Sequence, residues 1–302
     1  MVMSFESLEP LEPRKDLAST YIVPDRFNEK EISRLQLQDK LLTSTMGGVF
    51  AEQPSLSPLE RVLDIGCGTG GWLMEVAQTH PEISMLIGID ISPKILEVAS
   101  KQAQECKLDK RVEFHSMDAL RMLEFPNNFF DLVNQRVATS WLRTWDWPKI
   151  IQECLRVLRI DGVLRLTEVN GIVECNTPAQ TYLWDLIAQA LDRAGAYFNP
   201  KGGALDSILM RLLEQYGFQQ IQTHMQSVEY RAGTAEGKLF TEDIKYLFRT
   251  MKPYLQKWTR LPDNYEDLYQ QALAEAEQSD FVARFDLFTV WGTKLFPYTL
   301  SS

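Results

Sequence analysis

Val62-Leu63-Asp64-Ile65-Gly66-Cys67-Gly68-Thr69-Gly70-Gly71 decides the fold. A short apolar run enters a glycine turn, and the segment from Gly71 to His80 beyond it reads as a helix, the strand-turn-helix order of a nucleoside-binding α/β unit. Gly66, Gly68 and Gly71 satisfy G-x-G-x-x-G, while Gly66, Gly68 and Gly70 satisfy G-x-G-x-G. The glycines therefore leave a dinucleotide and another nucleoside cofactor both open. Asp64, directly before the turn, repels a pyrophosphate and favours a cationic ligand or its ammonium group.

Downstream of this turn the same alternation repeats. MLIGID (85–90) precedes a helical stretch over 92–106, RVEFHSMD spans 111–118, FFDLVNQR (129–136) precedes a helical stretch over 146–158, and GVLRLTEVN spans 162–170. Strands alternating with helices of ~10–15 residues imply crossover connections and a parallel sheet covered by helices on both faces. The C-terminal part adds a helix around 203–216 and strands over 218–230 and 284–293. Between those last strands, residues 232–279 are too long for a bare loop and read as a helical lid. A second insert covers 172–200. Upstream, residues 1–20 carry turn residues and charge without periodicity and read as a mobile or surface arm. Asn28 with Glu31 three residues on resembles a capping box for an amphipathic helix that Gly47-Gly48 stops. The expected organisation is an arm and cofactor-covering helix over 1–59, then one α/β domain over 60–302.

Acids stand at three successive strand ends. Asp90 closes the second strand, 26 residues after Asp64, where a carboxylate can accept from both ribose hydroxyls of a nucleoside. Asp118 follows the third strand, in reach of an adenine amino group. With Asp64 and the glycine turn, these landmarks over 61–170 resemble the class I S-adenosylmethionine-dependent methyltransferases. The resemblance implies a Rossmann-like seven-stranded, mostly parallel sheet of order 3-2-1-4-5-7-6. It implies S-adenosylmethionine as cofactor, its methionine end at Asp64, Gly66, Cys67, Gly68 and Gly70. The ribose falls to Asp90 and Ile91, the adenine to Asp118 and Ala119, and Gln135 closes the fourth strand beside the donor. Glu31-x-x-Arg34-Leu35-x-Leu37-Gln38 is similar to an E-x-x-R-L-x-x-Q block that precedes the turn in many secondary-metabolite methyltransferases, which makes Tyr21 and Gln38 candidates for capping the cofactor.

Composition narrows the acceptor. The 302 residues are 45% hydrophobic and carry net charge -10, which disfavours a nucleic-acid partner because such binding rests on Lys and Arg neutralising phosphates. The N-terminal residues hold no apolar signal core and no stretch approaches the ~20 apolar residues of a membrane span, so a cytoplasmic protein is expected. Four scattered cysteines and three histidines form no ligand-spaced set, so no metal is expected. Asn134-Gln135-Arg136-Val137 departs from the Asn/Asp-Pro-Pro-aromatic sequence of amino-adenine methyltransferases, no Pro-Cys pair of the cytosine-C5 type exists, and the paired glutamates of protein-arginine enzymes are missing. A small organic acceptor, a secondary metabolite, remains. Trp141, Trp145 and Trp147 fall within seven residues after the fourth strand, and Trp141 and Trp145 are candidate aromatic walls. Glu168 and Asn170, ending the fifth strand, are candidates to orient the acceptor, Glu168 also to assist its deprotonation. Methyl transfer from a sulfonium is an in-line displacement governed by alignment, so no further catalytic residue is expected from sequence. The rival readings are a nicotinamide-dependent oxidoreductase and a non-catalytic nucleoside-binding module of the same fold. The N-terminal arm could also reach a neighbouring subunit in a homo-oligomer.

Overall fold

The computed structural model describes residues 21–22, 29–52, 58–200 and 203–295. The arm over 1–20 and the expected cap Asn28 lie outside them. Helix α1 spans Glu29–Thr45. Strand β1 (Arg61–Ile65) then runs through the molecular centre, with Val62, Leu63 and Ile65 buried on both sides. A strand enclosed on both faces reads as a near-continuous apolar run rather than an alternating one, and Val62, Leu63 and Ile65 do so around the buried Asp64. Helix α2 (Gly71–Thr79) follows the glycine turn. Strand β2 (Met85–Asp90) leads into α3 (Pro93–Glu105), whose first turn is capped by Ser92, its hydroxyl accepting from Ile95 N at 3.4 Å, with Pro93 preset for the first helical position.

Strands β3 (Val112–Ser116) and β4 (Phe130–Arg136) come next, followed by α4 (Trp147–Val157) and β5 (Leu158–Cys175). Helices α5 (Pro178–Arg193) and α6 (Leu205–Gln215) separate β5 from β6 (Phe218–Arg231). Three helices, α7 (Ala235–Thr250), α8 (Lys252–Trp258) and α9 (Tyr265–Ala276), fill the connection to β7 (Val282–Lys294). Among the described residues the strands form one sheet of order β3-β2-β1-β4-β5-β7-β6. β1, β2, β3, β4 and β5 are parallel, and β7 runs antiparallel to both neighbours.

β5 continues five residues past Asn170, so the segment read as an insert from residue 172 begins as strand. The extension pairs with β7, Cys175 opposite Ala283, after an irregularity between Asn170 and Glu174. One apolar cluster joins this extension to α1, α5 and the α7–α9 helices, including Leu41, Leu183, Phe240, Phe248 and Tyr265. The carboxyl ends of β1, β2, β4 and β5 thus open not to solvent but beneath a helical cover. No helix among the described residues is long and apolar enough to cross a membrane.

Candidate active site

The cover and the strand ends line one cavity of about 610 Å³. Its floor is the turn after β1. Gly66, Gly68 and Gly70 have φ of +70°, +53° and +75°, a region costly for any residue bearing a Cβ. At Gly66 space is limiting as well: a Cβ there would lie 3.3 Å from the Trp141 indole. The turn is tied to β2 by Gly66 N and Cys67 N, which donate to Ile89 O at 2.8 and 3.0 Å.

Asp90, at the end of β2, accepts from Gly68 N at 3.2 Å through one oxygen and from Ser92 N at 2.9 Å through the other. These bonds hold the carboxylate at the cavity wall. Asp118 is fixed by Leu120 N at 2.9 Å and by the Arg121 guanidinium at 3.4 Å. Asp64 is buried and accepts from Asn134 Nδ2 at 2.8 Å, while Asn134 Oδ1 accepts from Arg165. Burial pushes the Asp64 carboxyl up to about 7, against the opposing pull of Arg136 and Asn134.

The cavity brings together Tyr21, Gln38, Asp64, Gly66, Cys67, Gly68, Asp90, Ile91, Asp118, Ala119, Trp141 and Glu168. Four sequence candidates do not line it. Gly70 sits behind the turn as the left-handed residue that starts α2, covered by Phe114, whose ring atom is 2.5 Å from where a Cβ would stand. Gln135 turns into the core, fully buried, and donates to Glu168 at 3.4 Å. Trp145 is 67% exposed and rests on Gly195. Asn170 is engaged with α6, its Oδ1 accepting from Leu205 N at 3.0 Å. Trp147, close in sequence, is a core residue of α4.

Glu168 faces the cavity with both oxygens engaged. Ala138 N donates to Oε1 at 2.5 Å, and Thr139 donates to Oε2 through N at 3.2 Å and Oγ1 at 2.8 Å. Burial raises its carboxyl to about 7 even so. These donors fix the turn after β4, where Val137 is held at φ +54°, unfavourable for a β-branched residue. From that turn Trp141 reaches back over Gly66.

Sequence reading missed the rest of the wall. Arg34 on α1, fully buried, forks onto Glu31 at 2.9 and 2.7 Å, donates to the Tyr21 hydroxyl oxygen at 3.1 Å, and reaches Asp243 of α7 at 3.3 Å. The E-x-x-R spacing places Glu31 and Arg34 one turn apart on a helix face, so that block signalled the first half of this cluster. Arg136 is paired with Asp39 and donates to Thr43 Oγ1 at 3.0 Å, pinning α1 to the end of β4. Trp184, Tyr197, Tyr230, Phe240 and Leu247 complete the far side.

A family model described as a methyltransferase domain matches residues 62–162. The chain is similar to N-methyltransferase gliN of Aspergillus fumigatus, 26% identical over 284 residues covering 89% of this chain and 95% of that protein. It is similar to 27-O-demethylrifamycin SV methyltransferase of Amycolatopsis mediterranei, 26% identical over 86% of this chain and 82% of that one. Its fold is shared with phosphoethanolamine N-methyltransferase 2 of Haemonchus contortus, solved with S-adenosyl-L-methionine, at TM-score 0.57 and 18% identity over 93% of this chain and 61% of that one. It is also shared with the YcgJ protein of Bacillus subtilis, at TM-score 0.53 and 18% identity over 87% and 99% of the two chains.

Proposed function

We propose that the chain, in which residues 62–162 match a methyltransferase domain model, is a class I S-adenosylmethionine-dependent methyltransferase that methylates a small organic acceptor, a secondary metabolite, by in-line transfer inside the covered cavity. When bound, the cofactor supplies an activated methyl group on a sulfonium, so the protein's task is alignment and exclusion of water. The residues fit such a group. Gly68 has open space where a Cβ would stand, Asp90 presents at the cavity wall a carboxylate of the kind that accepts from hydroxyls, and the buried Asp64 suits an ammonium.

In this reading Asp90 and Ile91 hold the ribose, Asp118 and Ala119 the adenine, and Asp64 with the Gly66–Gly68 backbone the methionine end. Gln38 of α1 and Tyr21, which precedes that helix in the chain, close over the donor. Trp141 lies between the two halves of the cavity, packed on Gly66, and forms the surface against which the acceptor approaches. Glu168 acts as a positioning residue: its lone pairs are committed to Ala138, Thr139 and Gln135, and it keeps the Trp141 turn in place. One relative is named an N-methyltransferase and another is named for methylating 27-O-demethylrifamycin SV, which supports a small organic acceptor.

The single observation that carries the reading is the continuity of one cavity from Asp90 and Asp118 to Trp184 and Phe240. A dinucleotide oxidoreductase is disfavoured by Asp64, whose carboxylate lines the floor where a pyrophosphate would lie. Calorimetry with S-adenosylhomocysteine and with NADH tests the choice, S-adenosylhomocysteine alone being expected to bind. Turnover of labelled S-adenosylmethionine across a metabolite panel then separates an enzyme from a binding module.

A further inference from the structure

The far half of the cavity, beyond Trp141, has a charge pattern that restricts what enters it. Two guanidinium groups, Arg34 and Arg136, are the cationic side chains lining the cavity among the described residues. Both are committed: Arg34 to Glu31, Asp243 and the Tyr21 hydroxyl, Arg136 to Asp39 and Thr43. Against them the lining holds six carboxylates, Asp39, Asp64, Asp90, Asp118, Glu168 and Asp243. Two of these, Glu168 and Asp243, are buried, Glu168 bonded to Ala138 and Thr139 and Asp243 paired with Arg34.

The remaining wall there is rings and aliphatic chains. Phe240 stands between Trp184, whose ring is stacked at 6.4 Å and 19°, and Tyr230, at 5.0 Å and 31°. The Tyr230 hydroxyl is bonded to Thr45 Oγ1 at 3.0 Å. Leu191 and Leu247 continue this surface. An anionic group moved here from water would lose its hydration, find each guanidinium already paired, and meet in Arg34 one positive charge already shared by two carboxylates, Glu31 and Asp243. A flat uncharged ring system would instead gain burial against side chains that lose little rotamer freedom.

Resting on the function proposed above, we propose that the acceptor is an uncharged, predominantly apolar ring compound, and that the cavity rejects acceptors bearing a phosphate or carboxylate on the portion lying against Phe240 and Trp184. Selection arises because the cations lining the cavity among the described residues, Arg34 and Arg136, are already paired, rather than from a dedicated recognising group.

The full chain loaded with S-adenosylhomocysteine provides the test, with 2-naphthol and 2-naphthyl phosphate as matched probes in equilibrium dialysis. The expected result is binding of 2-naphthol at least about tenfold tighter than its phosphate, a preference of the size of one displaced buried contact. Phe240→Ala should weaken 2-naphthol about tenfold while leaving S-adenosylhomocysteine affinity unchanged by calorimetry. Since Phe240→Ala could loosen the α7–α9 cover, Leu247→Lys is the second variant. By adding a cation to the same wall it should raise 2-naphthyl phosphate binding several-fold. Equal or tighter binding of the phosphate to the unaltered chain, or no binding of 2-naphthol, would overturn the inference. Failure of S-adenosylhomocysteine to bind would instead sink the methyl-donor reading, whatever the ratio of the two probes.

Discussion

Arg34 and Asp243 lie 209 residues apart in the chain and meet at 3.3 Å inside the protein, joining the helix before the α/β domain to the first helix of the insert that precedes the last strand. Both lining residues are buried, Arg34 at 1% exposure, and Glu31 completes the charge balance on α1. The helix over the donor half and the helix over the far half are thereby held as one cover.

Breaking that pair should open both halves together. Arg34→Met leaves Glu31 and Asp243 buried without a counter-charge and is expected to cost about 3–5 kcal/mol. Asp243→Asn, which retains an acceptor for the guanidinium, should cost less. Thermal melting of both variants checks the order, and donor affinity should fall in Arg34→Met, which also removes the guanidinium bonded to the Tyr21 hydroxyl. Unchanged donor affinity in a destabilised Arg34→Met would show that the cover does not act as one unit.

Asp90→Ala should weaken S-adenosylhomocysteine binding by about 3 kcal/mol, near a hundredfold, if two charge-assisted bonds to ribose are lost. The same substitution also frees Gly68 N and Ser92 N, so melting temperature must be followed alongside. 2′-Deoxy donor analogues give the cleaner comparison: Asp90→Ala should penalise them less than the parent compound. An equal penalty would assign Asp90 to turn architecture alone.

Asp64, Glu168 and Asp243 give a pH dependence of defined sign. Burial raises their carboxyls to about 7, about 7 and about 6, above the ~4 of an unfolded chain. Between about pH 4 and 7 the folded chain therefore holds protons that the unfolded chain has released. Their contribution to stability is complete below the ordinary carboxylate range and is lost as pH rises through about 7, so the ligand-free protein should melt at a lower temperature near pH 8 than near pH 6. Binding should run the other way. An ammonium beside Asp64 favours the ionised carboxylate, so S-adenosylhomocysteine affinity should increase from about pH 6 to 8 with proton release. Calorimetry in buffers of different ionisation enthalpy measures the released proton, and Asp64→Asn should remove it.

Glu168→Gln tests positioning against proton transfer. The amide would direct its NH2 toward donors at Ala138 or Thr139 and cost about 1.5–3 kcal/mol in stability. If Glu168 only holds the Trp141 turn, kcat should fall by a similar factor at every pH. Loss of an acidic limb from the pH–rate profile would identify it as the base instead.

The strand order was legible because each parallel unit is local: an apolar run, a turn, an amphipathic helix, as in Val62–Thr79. The same locality exposed Asp64, Asp90 and Asp118. Side-chain direction in the loops was not legible. Trp141 and Trp145 are four residues apart, yet one faces the cavity and the other solvent, because the turn at Val137 and the seat on Gly195 are set by β5 and α5. Asn170 was read as a strand end, but β5 runs on to Cys175 and leaves its amide beside α6. Asp243 gave no signal, since its partner is visible only once α1 and α7 are packed.

Trp141 and Trp184 are the cavity-lining indoles, one packed on Gly66 and one stacked near Phe240, whereas Trp72 and Trp147 are sealed in the core and Trp145 looks outward. The protein consequently contains an intrinsic optical gauge with two stations. Emission that responds to donor alone reports from Trp141, and the further response to a second molecule reports from Trp184. Replacing either with Phe assigns each signal, so the sequence in which the two compartments fill can be followed without any label.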